Sequence, residues 1–187
     1  MEDWNNVMKI LKYLKGTINF GLRFTRKKEI IAYVDADYAG DEETRRSTTG
    51  FIITMGGTPT CWCSRLQHCV STSTAESEYY SLSECSKHCI WYLNILKELD
   101  FKINFINIIN KATIYNSKNQ SINPKTKHID IRFHYVRELI KENKIKLNYV
   151  KPEKNLAYGF TKYLNNTLMD NFRQSILYDC NDIIISN

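Results

Sequence analysis

Ile30-Ile-Ala-Tyr-Val-Asp-Ala-Asp37 is an apolar run of strand length that ends directly in acids. A carboxylate at the end of a buried strand loses its hydration, so Asp35 needs a partner or a chemical role there. Downstream, a polar loop with Asp41, Glu42, Glu43, Arg45 and Arg46 leads into Gly50-Phe-Ile-Ile-Thr-Met55, and Gly56-Gly57 joins this to Thr58-Pro-Thr-Cys-Trp-Cys63. Paired glycines between two β-prone runs predict an antiparallel hairpin, a turn that calls for positive φ. Pro59 cannot donate to a ladder, which puts the second strand at an edge or starts its pairing after the proline.

The segment 71–74 (Ser-Thr-Ser-Thr) supplies helix N-cap candidates. From Ala75 to about Leu99, Tyr79, Leu82, Cys85, Ile90, Trp91, Leu93 and Leu96 recur at mostly helical spacing, with Glu76 and Glu78 in the first turn, where the helix dipole favours acids. Upstream, residues 4–15 place Val7, Ile10, Leu11 and Leu14 on one face of a short amphipathic helix that stops at Gly16. Beyond the long helix the pattern predicts a strand over 112–115, a helix over about 129–143, an alternating strand over 145–150 and a closing helix over 155–164. A strand and hairpin followed by helix-connected strands predict a mixed sheet with helices packed on it, an α/β fold.

Composition narrows the function classes. With 187 residues, 43% of them hydrophobic, the chain can bury a real core, which excludes a disordered or linker-like protein. Lysine and arginine outnumber aspartate and glutamate by 26 to 20, and the resulting +6 suits a polyanionic partner. No apolar run approaches the roughly 18 residues that cross a bilayer, so no membrane partner is expected. The opening Met-Glu-Asp-Trp lacks the basic-then-apolar pattern of a secretory signal, so a cytoplasmic location is expected, with the nucleus as the alternative. The six cysteines are then expected as free thiols, and Cys85 and Cys89, four apart on a helix, as small core residues.

Five motifs then occur in order: Tyr33-Val-Asp-Ala-Asp-Tyr-Ala-Gly-Asp41, Arg45-Arg-Ser-Thr-Thr-Gly50, Ser73-Thr-Ala-Glu-Ser-Glu-Tyr79, Thr126-Lys-His-Ile-Asp-Ile-Arg132 with its continuation to Glu138, and Gly159-Phe-Thr-Lys162. This series closely resembles the ribonuclease H region of Ty1/copia-type retrotransposon Pol polyproteins. The opening segment 4–17 resembles the piece that joins reverse transcriptase to that region. The resemblance implies a ribonuclease H-like mixed five-stranded sheet flanked by helices. It also implies three parts: a connection remnant over 1–28, a ribonuclease H-like domain over 29–165 and a C-terminal tail over 166–187.

The implied chemistry is hydrolysis of the RNA strand of an RNA–DNA hybrid by two Mg2+ (or Mn2+) ions, one activating water and the other stabilising the leaving oxygen. The implied partners are the hybrid or another nucleic acid, and the reverse transcriptase domain of the parent polyprotein. In the family four carboxylates hold the ions. Asp35, at the end of the first strand, and Glu78, one turn into the long helix, match the first two, as catalytic and metal-binding residues. The third acid ends the fourth strand in the family. Here 117–123 aligns in two ways, either with Lys118 in the acid's place or with a short block lost that carried it, and the spacing to Thr126-Lys-His128 favours the loss. The fourth acid's place, in an Ala-Asp-x-Phe-Thr-Lys motif, holds Tyr158. Two acids of four imply impaired hydrolysis. Arg45, Arg46, Lys125, Lys127, Arg132 and Arg137 lie near the motifs and are the candidates for contacts with phosphates and 2′-hydroxyls. The rival expectations are a non-catalytic nucleic-acid-binding or scaffold protein, and a decayed element fragment without function.

Overall fold

From residue 2 the chain forms α1 (Glu2–Gly16), a two-residue strand β1 (Phe20–Gly21), then β2 (Ile30–Asp37), β3 (Thr48–Met55), β4 (Thr58–Leu66) and the long helix α2 (Thr74–Glu98). After these come β5 (Ile106–Ile109), α3 (Lys127–Lys141), β6 (Ile145–Asn148), two 3-10 turns (Pro152–Lys154 and Leu156–Phe160), α4 (Asn166–Ile176) and β7 (Tyr178–Asp179). The computed structural model describes residues 2–103, 105–110 and 127–182.

Five strands form one sheet in the order β4-β3-β2-β5-β6. The β4–β3–β2 half is antiparallel and the β2–β5–β6 half parallel. This is the mixed five-stranded sheet with flanking helices that the sequence leads one to expect. The hairpin turn has Gly56 at φ 60° and Gly57 at φ 88°, a pair of positive values that β-branched or bulky residues would not tolerate. Strand β4 is an edge, as Pro59 requires.

Successive side chains of a strand face opposite sides, so β2 divides its residues in two. Ile30, Ala32 and Val34 join Phe51 and Ile53 of β3 against Tyr79, Leu82, Cys85, Cys89, Leu93 and Leu96 of α2. Val136 and Leu139 of α3 and Ile106, Ile108 and Ile145 complete this core. Cys85 and Cys89 are fully buried with sulfurs 4.0 Å apart, and the contact with Cys89 together with burial pushes the Cys85 thiol well above its ordinary value. Asp35 belongs to the other parity and faces away from α2, toward the 3-10 turn at Leu156–Phe160.

Two features differ from the sequence expectation. The closing helix expected over 155–164 is a single 3-10 turn over Leu156–Phe160, because tertiary contacts tighten it. Asn155 caps the turn through Oδ1, which accepts from the Ala157 amide at 3.1 Å, and the Tyr158 and Thr161 amides bond three residues back. Gly159 lies so close to the Phe172 ring that a Cβ there would sit 2.5 Å from it. The stretch that follows is also more ordered than a tail: Asn165 caps α4 by accepting from the Leu168 amide, and β7 pairs antiparallel with β1. The strand expected at 112–115 falls outside the described residues, and the parallel position beside β2 is taken by β5.

Candidate active site

Helix α2 starts with reciprocal capping. Ser73 accepts from the Glu76 amide at 3.1 Å, and Glu76 Oε2 accepts from the Thr72 amide and hydroxyl at 2.6 and 2.7 Å. Glu76 therefore serves the helix end. Glu78, two residues on, is 9% exposed and accepts from Asn110 Nδ2 at 3.1 Å.

Asn110 follows the last residue of β5, the fourth strand of the main sheet, and is 1% exposed. The ladder between β2 and β5 ends at Tyr33 and Ile109, and just past it Asn110 Nδ2 lies 3.4 Å from the Val34 carbonyl. The same carbonyl accepts from Asn155 Nδ2 at 3.0 Å. Asn110 thus touches both the acid of α2 and the peptide unit that leads into Asp35.

Asp35 is 9% exposed, and its Oδ2 accepts from Thr161 Oγ1 at 2.7 Å. Thr161 closes the 3-10 turn that carries Tyr158, and the Tyr158 carbonyl, 3.1 Å away, is the alternative acceptor for that hydroxyl. Beside it, Lys162 Nζ is 3.9 Å from Asp37 Oδ1 and 5.1 Å from the Tyr158 ring centre. An exposed ion pair of this kind contributes about 0–1 kcal/mol. The turn can lie on the sheet only because β3 has a glycine opposite Asp35: a Cβ on Gly50 would be 2.5 Å from Thr161 Cγ2 and 3.0 Å from Phe160 Cβ.

A second buried polar cluster fixes the start of α2. Gln67 is 1% exposed, and its Nε2 lies 3.0 Å from the Ser77 carbonyl, 3.2 Å from Thr49 Oγ1 and 3.3 Å from Ser81 Oγ. Its Oε1 accepts from Ser71 at 3.0 Å. One side chain thereby ties β3 and the end of β4 to the helical turns on either side of Glu78.

The remaining sequence candidates are dispersed. Arg45 is exposed in a left-handed turn at φ 55°, and Arg46 donates from Nε to Thr44 at 3.1 Å. Arg132 Cζ lies over the Tyr80 ring, 4.1 Å from its centre, and Arg137 Cζ is 5.9 Å from the Phe133 ring centre. Phe133 in turn stacks on Tyr79 at 3.6 Å, so Arg132 and Phe133 help dock α3 on α2. Lys127 opens α3, and Lys125 lies outside the described residues.

Sequence reasoning missed Asn110, Asn155, Thr161 and Gln67 as parts of this site. Asn110 had a visible signal, an apolar run Ile106-Asn-Ile-Ile109 of strand length ending in a polar residue, and Thr161 lies within the motif Gly159-Phe-Thr-Lys162. Asn155 and Gln67 matter through tertiary contacts, with Val34 121 positions from Asn155 and Thr49 18 positions from Gln67.

Two divalent ions need several oxygen ligands bearing negative charge. The donor set here is Asp35, Glu78 and a carboxamide that offers NH2 to its neighbours. That set does not fit a two-ion centre. Among the described residues, no group of three or more His, Cys, Asp or Glu side chains is placed to hold a metal, and no helix is long and apolar enough to cross a membrane.

No protein-family model matches the chain. The Retrovirus-related Pol polyprotein from transposon TNT 1-94 of Nicotiana tabacum is 38% identical over 164 residues, covering 86% of this chain and 12% of that protein. The Retrovirus-related Pol polyprotein from transposon RE2 of Arabidopsis thaliana is 31% identical over 181 residues, covering 94% of this chain and 12% of that protein. Among solved structures, the RNase H1 of the archaeon Halobacterium salinarum matches at 15% identity with a TM-score of 0.47, over 76% of this chain and 98% of that one. The chain spans only 12% of the length of the curated relatives it matches. With 31–38% identity over about 90% of its own length, the chain is homologous to part of the Ty1/copia-type retrotransposon Pol polyproteins.

Proposed function

We propose that this chain is a ribonuclease H-like domain of the Pol lineage that engages RNA–DNA hybrids and hydrolyses their RNA strand poorly or not at all. The observation that carries the reading is Asn110. It directly follows β5, and it meets Glu78 through an amide NH2, a donor where a two-ion centre needs further anionic oxygen. Tyr158 at the fourth acid's place acts in the same direction, since a phenol is a poor ligand for Mg2+. The net charge of +6 supports retained affinity for a polyanion, and in a full Pol the reverse transcriptase domain would be the adjoining partner.

The test is an end-labelled RNA strand annealed to DNA, incubated with the chain in Mg2+ or Mn2+, beside the Asp35→Asn variant. A working two-ion enzyme accelerates such a reaction by on the order of a millionfold or more. The expected result is cleavage no faster than that of Asp35→Asn, with hybrid binding that weakens steeply as salt rises. Turnover that Asp35→Asn abolishes would overturn the reading, as would an absence of hybrid binding at low salt.

A further inference from the structure

We propose that the acids of this site are held by hydrogen-bond donors of the chain itself instead of by divalent ions, and that Asn110 is the residue that makes the exchange. The inference rests on the ribonuclease H-like reading for its comparison with an ion-held site, but its argument is the donor set. Asn110 Nδ2 faces two acceptors, Glu78 Oε2 at 3.1 Å and the Val34 carbonyl at 3.4 Å. Neither can donate, so only the NH2 half of the amide satisfies both. A carboxylate of the same shape would present oxygen to oxygen at both contacts, and only a cation could relieve it.

The other donors converge on the same strand. Thr161 Oγ1 reaches Asp35, Asn155 Nδ2 reaches the Val34 carbonyl, and Lys162 pairs with Asp37. Residues 34, 35 and 37 of β2 are thereby each met by a donor from β5 or from the turn on 155–162. A hydrogen bond from a neutral donor to a buried carboxylate favours its charged form without any ion. The acids of this site have become part of the scaffold, joining β2, β5, α2 and the turn.

The consequence is a protein whose folding does not respond to divalent cations, and a single isosteric substitution that makes it respond. Thermal unfolding is measured in chelator and in millimolar Mg2+ for the wild-type chain, Asn110→Asp and Glu78→Gln. Wild type is expected to melt at the same temperature in both. Asn110→Asp is expected to melt roughly 4–8 °C lower in chelator and to recover much of that loss in Mg2+. Glu78→Gln, which keeps shape and loses charge, is expected to melt lower than wild type in chelator because a charge-assisted bond is lost. In an ion-held acid cluster the same change would raise the melting temperature by relieving repulsion. The proposal is overturned if Mg2+ stabilises wild type, if Asn110→Asp is indifferent to Mg2+, or if Glu78→Gln is stabilised in chelator; should Asn110→Asp fail to fold in either condition, the sign of the Glu78→Gln shift decides. None of these readouts uses a hybrid, so failure of hybrid binding would sink the functional reading alone, and Mg2+ stabilisation of wild type would sink this inference alone.

Discussion

Replacing Gly50 with alanine is expected to lower the melting temperature by roughly 5–10 °C, a large effect for one methyl group. Gly50 sits opposite Asp35 in the β2–β3 ladder, on the face that receives the 3-10 turn. An added Cβ would lie 2.5 Å from Thr161 Cγ2, 3.0 Å from Phe160 Cβ and 3.1 Å from the Ala157 carbonyl. Two of these atoms belong to the turn's backbone or first side-chain carbon, so no distal rotamer change relieves the clash. The turn must lift, and with it go the Thr161 bond to Asp35 and the bond between Ser64 and the Phe160 carbonyl. Differential scanning calorimetry on both proteins measures the shift. An unchanged melting temperature would mean that the turn is not seated on the sheet as described.

Gln67→Ala carries the second large effect, expected at about 2–4 kcal/mol of destabilisation from unpaired buried groups and a small cavity. The amide is the shared partner of Thr49, Ser71, Ser81 and the Ser77 carbonyl. Thr49 and Ser81 keep one bond to each other at 2.9 Å, while the Ser77 carbonyl and Ser71 lose the partner seen here. Because the cluster fixes α2 on either side of Glu78, amide exchange is expected to rise most at residues 74–82. Urea unfolding gives the free energy, and hydrogen exchange reads the local effect. A loss below about 1 kcal/mol, within the range of an ordinary single hydrogen bond, would show that the cluster does not act as a unit.

Much of the fold could be read from the sequence because its decisive stretches are locally consistent. Ile30–Val34 is continuously apolar, Gly56-Gly57 has the chemistry of its turn, and α2 repeats Tyr79, Leu82, Cys85, Cys89, Leu93 and Leu96 on one face. The site was legible only where a residue's role follows from its place in an element. Asp35 at the end of a buried strand is such a case, and the two glutamates of α2 separate in the structure because Glu76 turns back to Thr72 while Glu78 turns to Asn110. Asn110 itself was hidden because two β-prone runs, 106–109 and 112–115, compete for one strand position, and periodicity does not choose between them. The 3-10 turn was hidden for a different reason. Residues 155–164 have helical periodicity, but Asn155, Gly50 and Phe172 hold them in a tighter winding through contacts far away in the chain.

The relatives share 31–38% identity with this chain, and the mixed five-stranded sheet is the one expected of the fold. Beside Asp35 and Glu78 the observed donors are an amide and a threonine hydroxyl, the basis of the proposal that no divalent ion is held there. An electron paramagnetic resonance titration of free Mn2+ against the folded chain tests this most directly, since bound Mn2+ leaves the free-ion signal. The free signal is predicted to rise in step with added Mn2+ up to millimolar concentration, with wild type and Asp35→Asn indistinguishable. Saturable uptake of two ions per chain, lost in Asp35→Asn, would contradict it.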